Sequence, residues 1–185
     1  MSLQTRFIVF DGMDNCGKST LLKDVARDFW PTAKEIKFPK TMPSGALLRM
    51  NTEKDFEILF TMFELLDPTK TYLMDRFIVS NLVYDKVLRG ENTALSQQYY
   101  AEFKRRFDVF EVFVTRPPIR AEFIDDRIKL TVDQFNAGIE EYKKYGPNYQ
   151  ILLRDEHDNP STPTAARDEV FWQCADFVQH RRPHR

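Results

Sequence analysis

The residues Gly12, Met13, Asp14, Asn15, Cys16, Gly17, Lys18 and Ser19 carry the clearest chemistry in this chain. They satisfy G-x-x-x-x-G-K-[ST], and they fall between an apolar strand-like run and an amphipathic segment, the context the motif requires. Glycine at 12 and 17 permits backbone geometry that a side chain would block. The loop amides then point inward at phosphate oxygens, and the first turn of the following helix adds unpaired N–H groups and partial positive charge. Lys18 is expected to reach the terminal phosphates of a nucleotide, and Ser19 to offer its hydroxyl to Mg²⁺. The expected nucleotide contacts are Gly12, Asn15, Cys16, Gly17, Lys18, Ser19 and Thr20. The motif fixes nucleotide binding and leaves the reaction open.

Other residues admit two readings. Asp75-Arg76 closes a short apolar run, which places it where ligands meet a parallel sheet; the plain alternative is an ion pair at a strand end. Phe56, Phe60 and Phe63 share one helical face, either as core or as a stacking platform. The polar stretch 116–130 opens with Pro117-Pro118 and contains Arg116, Arg120 and Arg127, so it is the candidate lid. Cys16 is a tolerated loop residue, although a helix start beside it lowers a thiol pKa. His157, His180 and His184 are scattered without metal-ligand spacing.

Positioning these groups requires alternating strands and helices. Residues 7–10 are apolar at every position, as a strand buried on both faces should be. Further strands are predicted at 33–38, 72–74, 109–115 and 149–153. Helices are predicted over 19–29, 55–66, 80–88, 96–107, 131–145 and 164–178, with a short one at 45–50. This alternation points to an α/β chain: a three-layer sandwich with a five-stranded parallel sheet flanked by helices.

The chain has 185 residues, 42% hydrophobic and 30% charged, which fits one folded domain over 1–185. Lysine plus arginine (27) nearly balances aspartate plus glutamate (28), which argues against broad salt-driven wrapping of a nucleic acid polymer. No apolar run is long enough for a bilayer, so no membrane partner is expected. Cys16 and Cys174 make no disulfide framework, and a cytoplasmic setting is the expectation.

The whole chain resembles the thymidylate kinase family of P-loop nucleoside monophosphate kinases. The resemblance rests on the strand and loop 7–14 with its G-x-D opening; on Phe38-Pro39-Lys40 followed by Gly45 and Leu47-Leu48; on Asp75-Arg76-Phe77 with Ser80 and Tyr84; and on Asp126-Arg127-Ile128 before a helix holding Phe135 and Tyr142. It implies strand order 2-3-1-4-5, ATP and Mg²⁺ as cofactors, and a homodimer. It implies transfer of the ATP γ-phosphoryl group to a deoxynucleoside monophosphate, with dTMP the leading acceptor. Asp14 would accept a hydrogen bond from the sugar 3′-hydroxyl, Asp75 would sit near Mg²⁺ with Ser19, and Arg76 would hold the acceptor phosphate. Phe60 would stack on the base, with Phe38 and Lys40 in the same region. Ser80, Asn81 and Tyr84 would line the sugar and base pocket. Lys18, Arg76 and Arg127 would be the catalytic cations, with Arg116 and Arg120 as further lid candidates.

The chain departs from the family pattern at Glu64. An arginine usually follows the stacking phenylalanine by four residues and reads the thymine carbonyl; here the place is Glu64, and residues 51–75 contain no arginine. An ionised carboxylate only accepts hydrogen bonds, so Glu64 at the base would favour a donor edge over thymine, unless it points into solvent. Two rivals stand beside this reading: a deoxynucleoside kinase acting on a neutral hydroxyl with Asp75 as base, and a nucleotide-binding switch with little catalysis.

Overall fold

The computed structural model describes residues 3–28, 33–38, 49–121, 123–124, 129–154 and 164–180. Five parallel strands form one sheet: β1 (Arg6–Asp11), β2 (Lys34–Ile36), β3 (Thr71–Asp75), β4 (Asp108–Thr115) and, after a small antiparallel pair β5 (Phe123–Ile124) and β6 (Lys129–Leu130), β7 (Tyr149–Leu152). The order β2-β3-β1-β4-β7 is the expected 2-3-1-4-5 arrangement. β1 is central and buried at every position, because β3 and β4 pair along its two edges.

The helices are α1 (Lys18–Asp28), α2 (Glu53–Glu64), α3 (Ile78–Tyr84), α4 (Ala94–Arg106), α5 (Val132–Lys143) and α6 (Thr164–Gln179). Alternation along the strands divides the core. Phe7, Val9, Tyr72 and Met74 join Phe56, Phe60 and Phe63 of α2 and Phe103 of α4. Ile8, Phe10, Leu73 and Val112 join Leu21, Leu22 and Val25 of α1 and Val170 and Cys174 of α6. Thr52 and Thr131 each close a reciprocal capping box, with Asp55 and Gln134, which fixes where α2 and α5 begin.

Two local expectations change. The helix predicted over 80–88 is an α-helix only to Tyr84; Asp85–Arg89 is a π-turn, ended by left-handed Gly90. Asp85, in that turn, accepts from Arg49 at 2.9 Å and from Arg89. The short helix predicted at 45–50 is absent at 49–50, and 45–48 lie outside the described residues, as do Pro39 and Lys40. Among the described residues no helix is long and apolar enough to cross a membrane.

Candidate active site

The carboxyl ends of β1, β3, β4 and β7 meet at one edge of the sheet, the edge where open α/β sheets bind ligands. The loop between β1 and α1 lies there. Gly12 takes φ +141°, and a Cβ on it would lie 2.1 Å from the Val114 carbonyl oxygen, so only glycine fits. Gly17 (φ +90°) and Asn15 (φ +53°) complete the turn. Lys18 is buried and donates from Nζ to the Met13 carbonyl at 2.6 Å, which folds the ammonium back along the loop. Burial lowers its pKa to about 8; Arg76 adds repulsion, which the negative groups around it partly offset.

Ser19 donates from its hydroxyl to Asp75 Oδ2 at 2.5 Å, joining the first turn of α1 to the end of β3. The other carboxylate oxygen, Asp75 Oδ1, is buried with no hydrogen-bond partner. An orphaned hard oxygen beside a hydroxyl suits Mg²⁺, which takes oxygen ligands and keeps several waters. These two residues therefore fit the metal expected of them.

Arg76 follows directly and adopts a left-handed backbone, φ +70°, pinned by its N–H on the Phe10 carbonyl at 2.9 Å. That geometry is costly for a non-glycine residue and turns the side chain toward the loop. Its Nη2 donates to Asp14 Oδ1 at 2.5 Å, Tyr84 donates to Asp14 Oδ2, and the guanidinium lies 5.4 Å from the Tyr84 ring centroid. Behind it, buried Asp11 accepts from the Gly12 amide (2.9 Å), the Ser80 hydroxyl (2.6 Å) and the Phe77 amide (3.2 Å). Ser80 has one proton and spends it on Asp11, so its oxygen accepts from Arg76 Nη1 (3.2 Å) and from the Tyr142 hydroxyl (2.9 Å). Burial works against the charge on Arg76, yet Tyr84, Tyr142, Asp14 and Asp11 hold its pKa well above the usual value. Burial raises the Asp11 carboxyl, opposed chiefly by Arg76.

The structure thus brings Asp14, Arg76, Ser80 and Tyr84 together beside the loop. Asn81 is on the same helix, and its buried Nδ2 has no hydrogen-bond partner. Phe38 stacks on Phe77 with centroids 5.9 Å apart. Phe60 and Glu64 lie elsewhere. Phe60 is fully buried between Tyr99, Phe103 and Phe107, with Arg106 over its ring, so it is core and presents no stacking surface. Glu64 pairs with Arg106 at 2.7 Å. One residue earlier, the Phe63 carbonyl accepts from Thr5, just before β1, and Arg106 leads into the start of β4; this is the amino-terminal edge of the sheet, opposite the loop. The inference that Glu64 selects the base is therefore withdrawn. Only residues 65–70 separate α2 from β3, a spacing that already requires α2 to end at that edge.

Arg127 and Lys40 fall outside the described residues. Arg116 is buried, its guanidinium 5.9 Å from the Phe135 ring centroid. Sequence reasoning missed Asp11 and Tyr142. The signal for Asp11 was a carboxylate closing a wholly apolar strand. Tyr142 entered only as part of the helix that follows the lid motif.

No family model matches the chain. Its solved structural neighbours include thymidylate kinase from Candida albicans (TM-score 0.57, 18% identity, covering 97% of this chain and 93% of that one) and thymidylate kinase from Ehrlichia chaffeensis (TM-score 0.50, 13% identity, 95% and 100%). The fold is that of the thymidylate kinases. A third structure with this thymidylate kinase-like fold is YorR from Bacillus subtilis, solved in complex with phosphorylated GDP (TM-score 0.55, 19% identity, 94% and 95%). In sequence, the chain is 25% identical over 174 residues to the SPbeta prophage-derived uncharacterized protein YorR of Bacillus subtilis (strain 168), covering 93% of this chain and 94% of that one.

Proposed function

We propose that the protein is a Mg²⁺- and ATP-dependent deoxynucleoside monophosphate kinase, with dTMP the leading acceptor. The observation that carries this reading is Arg76: a guanidinium held in a strained backbone beside, and separate from, a complete phosphate loop. Transfer between two nucleotides needs two anion sites facing each other, and catalysis is then positioning plus charge neutralisation. The loop amides and Lys18 hold the donor phosphates. Arg76 exchanges part of its Asp14 contact for the acceptor phosphate, whose oxygen attacks the donor γ-phosphorus in line. One P–O bond forms and the bond to the β-phosphate bridging oxygen breaks, giving ADP and the deoxynucleoside diphosphate. Mg²⁺, held at Ser19 and Asp75, supplies charge neutralisation between the phosphates when bound.

Asp14 and Tyr84 are the sugar-side residues in this reading. Asn81 is the base-side residue, since its unpartnered Nδ2 suits a carbonyl such as thymine O4 or guanine O6. Guanine deserves a place among the acceptors because YorR was solved with phosphorylated GDP. A homodimer would use the outer face of α2, where Ile58, Met62 and Leu65 are exposed at helical spacing.

The test is a panel of deoxynucleoside monophosphates and deoxynucleosides with ATP, followed by product analysis. A diphosphate product from one or more monophosphates is expected. Products from deoxynucleosides alone would establish the nucleoside kinase instead, and tight ATP binding with no transfer would establish the switch.

A further inference from the structure

Transfer concentrates negative charge on the oxygens of the migrating phosphoryl group, and a guanidinium is the usual extra counter-charge. The loop residues Met13, Asp14, Asn15 and Cys16 supply none. Arg76 stands on the acceptor side, and Arg116 lies over Phe135.

A different arginine reaches the loop from the opposite flank. β7 ends at Leu152, and the next two residues cross the loop. Leu153 covers Gly17 so closely that a Cβ there would lie 3.1 Å from Leu153 Cδ1. Arg154 then donates from Nη2 to Asn15 Oδ1 at 3.3 Å. Asn15 is the exposed crest of the loop, between Asp14, which faces Arg76 and Tyr84, and the fully buried Cys16. The Arg154 guanidinium therefore stands at the mouth of the phosphate cradle, on the side away from the acceptor.

We propose that Arg154 is a catalytic residue that binds the terminal phosphoryl group of the donor. The inference rests on the reading of the loop as a nucleoside triphosphate site. A phosphate oxygen is a stronger acceptor for a guanidinium than the Asn15 amide oxygen, forming a shorter, charge-assisted bond, often with both arms of the fork. Buried Leu153 fixes the backbone just before Arg154, so little ordering is needed. The residue enters from the end of β7.

The test compares wild type with Arg154→Ala, Arg154→Lys and a distant control, Arg105→Ala, whose guanidinium pairs with Glu102. Transfer rates are measured with the best acceptor, and ATP and ADP affinities by calorimetry with no acceptor present. Arg154→Ala should lower kcat by about 10²- to 10³-fold and weaken ATP by at least about tenfold, with ADP affinity unchanged. Arg154→Lys should recover most of the ATP affinity and little of the rate, because a point charge replaces the fork. A rate within threefold of wild type for Arg154→Ala, or equal losses for ATP and ADP, would overturn the proposal. A wild-type protein that binds neither nucleotide would overturn the loop reading itself, and the proposal with it.

Discussion

Under the proposed function, Lys18 is the residue whose protonation couples most directly to nucleotide binding. Free of ligand, its ammonium is held down to about pKa 8, mainly by burial. Bound phosphates favour the charged form, so the pKa rises on binding. Well below pH 8 the group is charged in both states and binding exchanges no proton through it. Above pH 8 binding must draw a proton, and ATP affinity should fall by up to about tenfold per pH unit. Calorimetry at pH 9 in buffers of different ionisation heat should show uptake approaching one proton; zero uptake would remove the explanation. The stability of the ligand-free protein runs the other way. Between about pH 8 and the ordinary lysine value of 10.5 the unfolded chain binds more protons than the folded one, so this lysine makes stability rise with pH across that window. Asp75 gives a second prediction. Asp75→Asn should weaken apparent Mg²⁺ affinity by about 10- to 100-fold, read from transfer rate against free Mg²⁺, while ADP still binds in the absence of the metal.

At the scale of single elements, α2 and the phosphate loop make separable predictions. Phe60→Ala should cost about 3–5 kcal/mol in chemical denaturation, and Phe60→Leu much less, with no change in acceptor KM for the leucine variant. A large KM effect with normal stability would restore the stacking role. Gly138 of α5 touches the loop from behind: a Cβ there would lie 2.5 Å from Met13 Sδ. Met13 is flexible but also provides the carbonyl that Lys18 holds. Gly138→Ala should therefore change stability by less than about 1 kcal/mol, since helix propensity offsets the contact, yet weaken ATP measurably. Much of the fold was legible at this scale. The strand order was expected, and the loop, Asp14, Arg76 and Tyr84 converge as their spacing and the family resemblance implied. The misplacement of Phe60 and Glu64 has a physical cause. Helical periodicity shows which residues share a face, but not which edge of the sheet that part of the helix reaches; the six-residue return to β3 decides that. The π-turn was illegible because one inserted residue leaves no periodic signal over so short a segment, and its Asp85 pairs with Arg49, 36 positions earlier. Tyr142 was similarly hidden, since its partners Ser80 and Arg76 lie 62 and 66 positions earlier.

For the molecule as a whole, the exposed Ile58, Met62 and Leu65 predict association through α2. Leu65→Glu combined with Met62→Glu should convert a dimer to a monomer in sedimentation without loss of helicity. A wild-type protein already monomeric at high micromolar concentration would remove that expectation. The central strand has a different consequence. Arg6, at its start, donates to the Val178 carbonyl in α6 at 2.8 Å and pairs with Asp108 at 3.3 Å. One partner is 172 positions downstream and the other 102. As the ribosome delivers the chain, this apolar ribbon leaves the exit tunnel before both strands that pair with it, and one flank stays bare until β4 has been made. Maturation should then be slow and dominated by distant pairings. Nascent chains halted before residue 108 should be strong chaperone clients, and release of those bearing the last helix should free them.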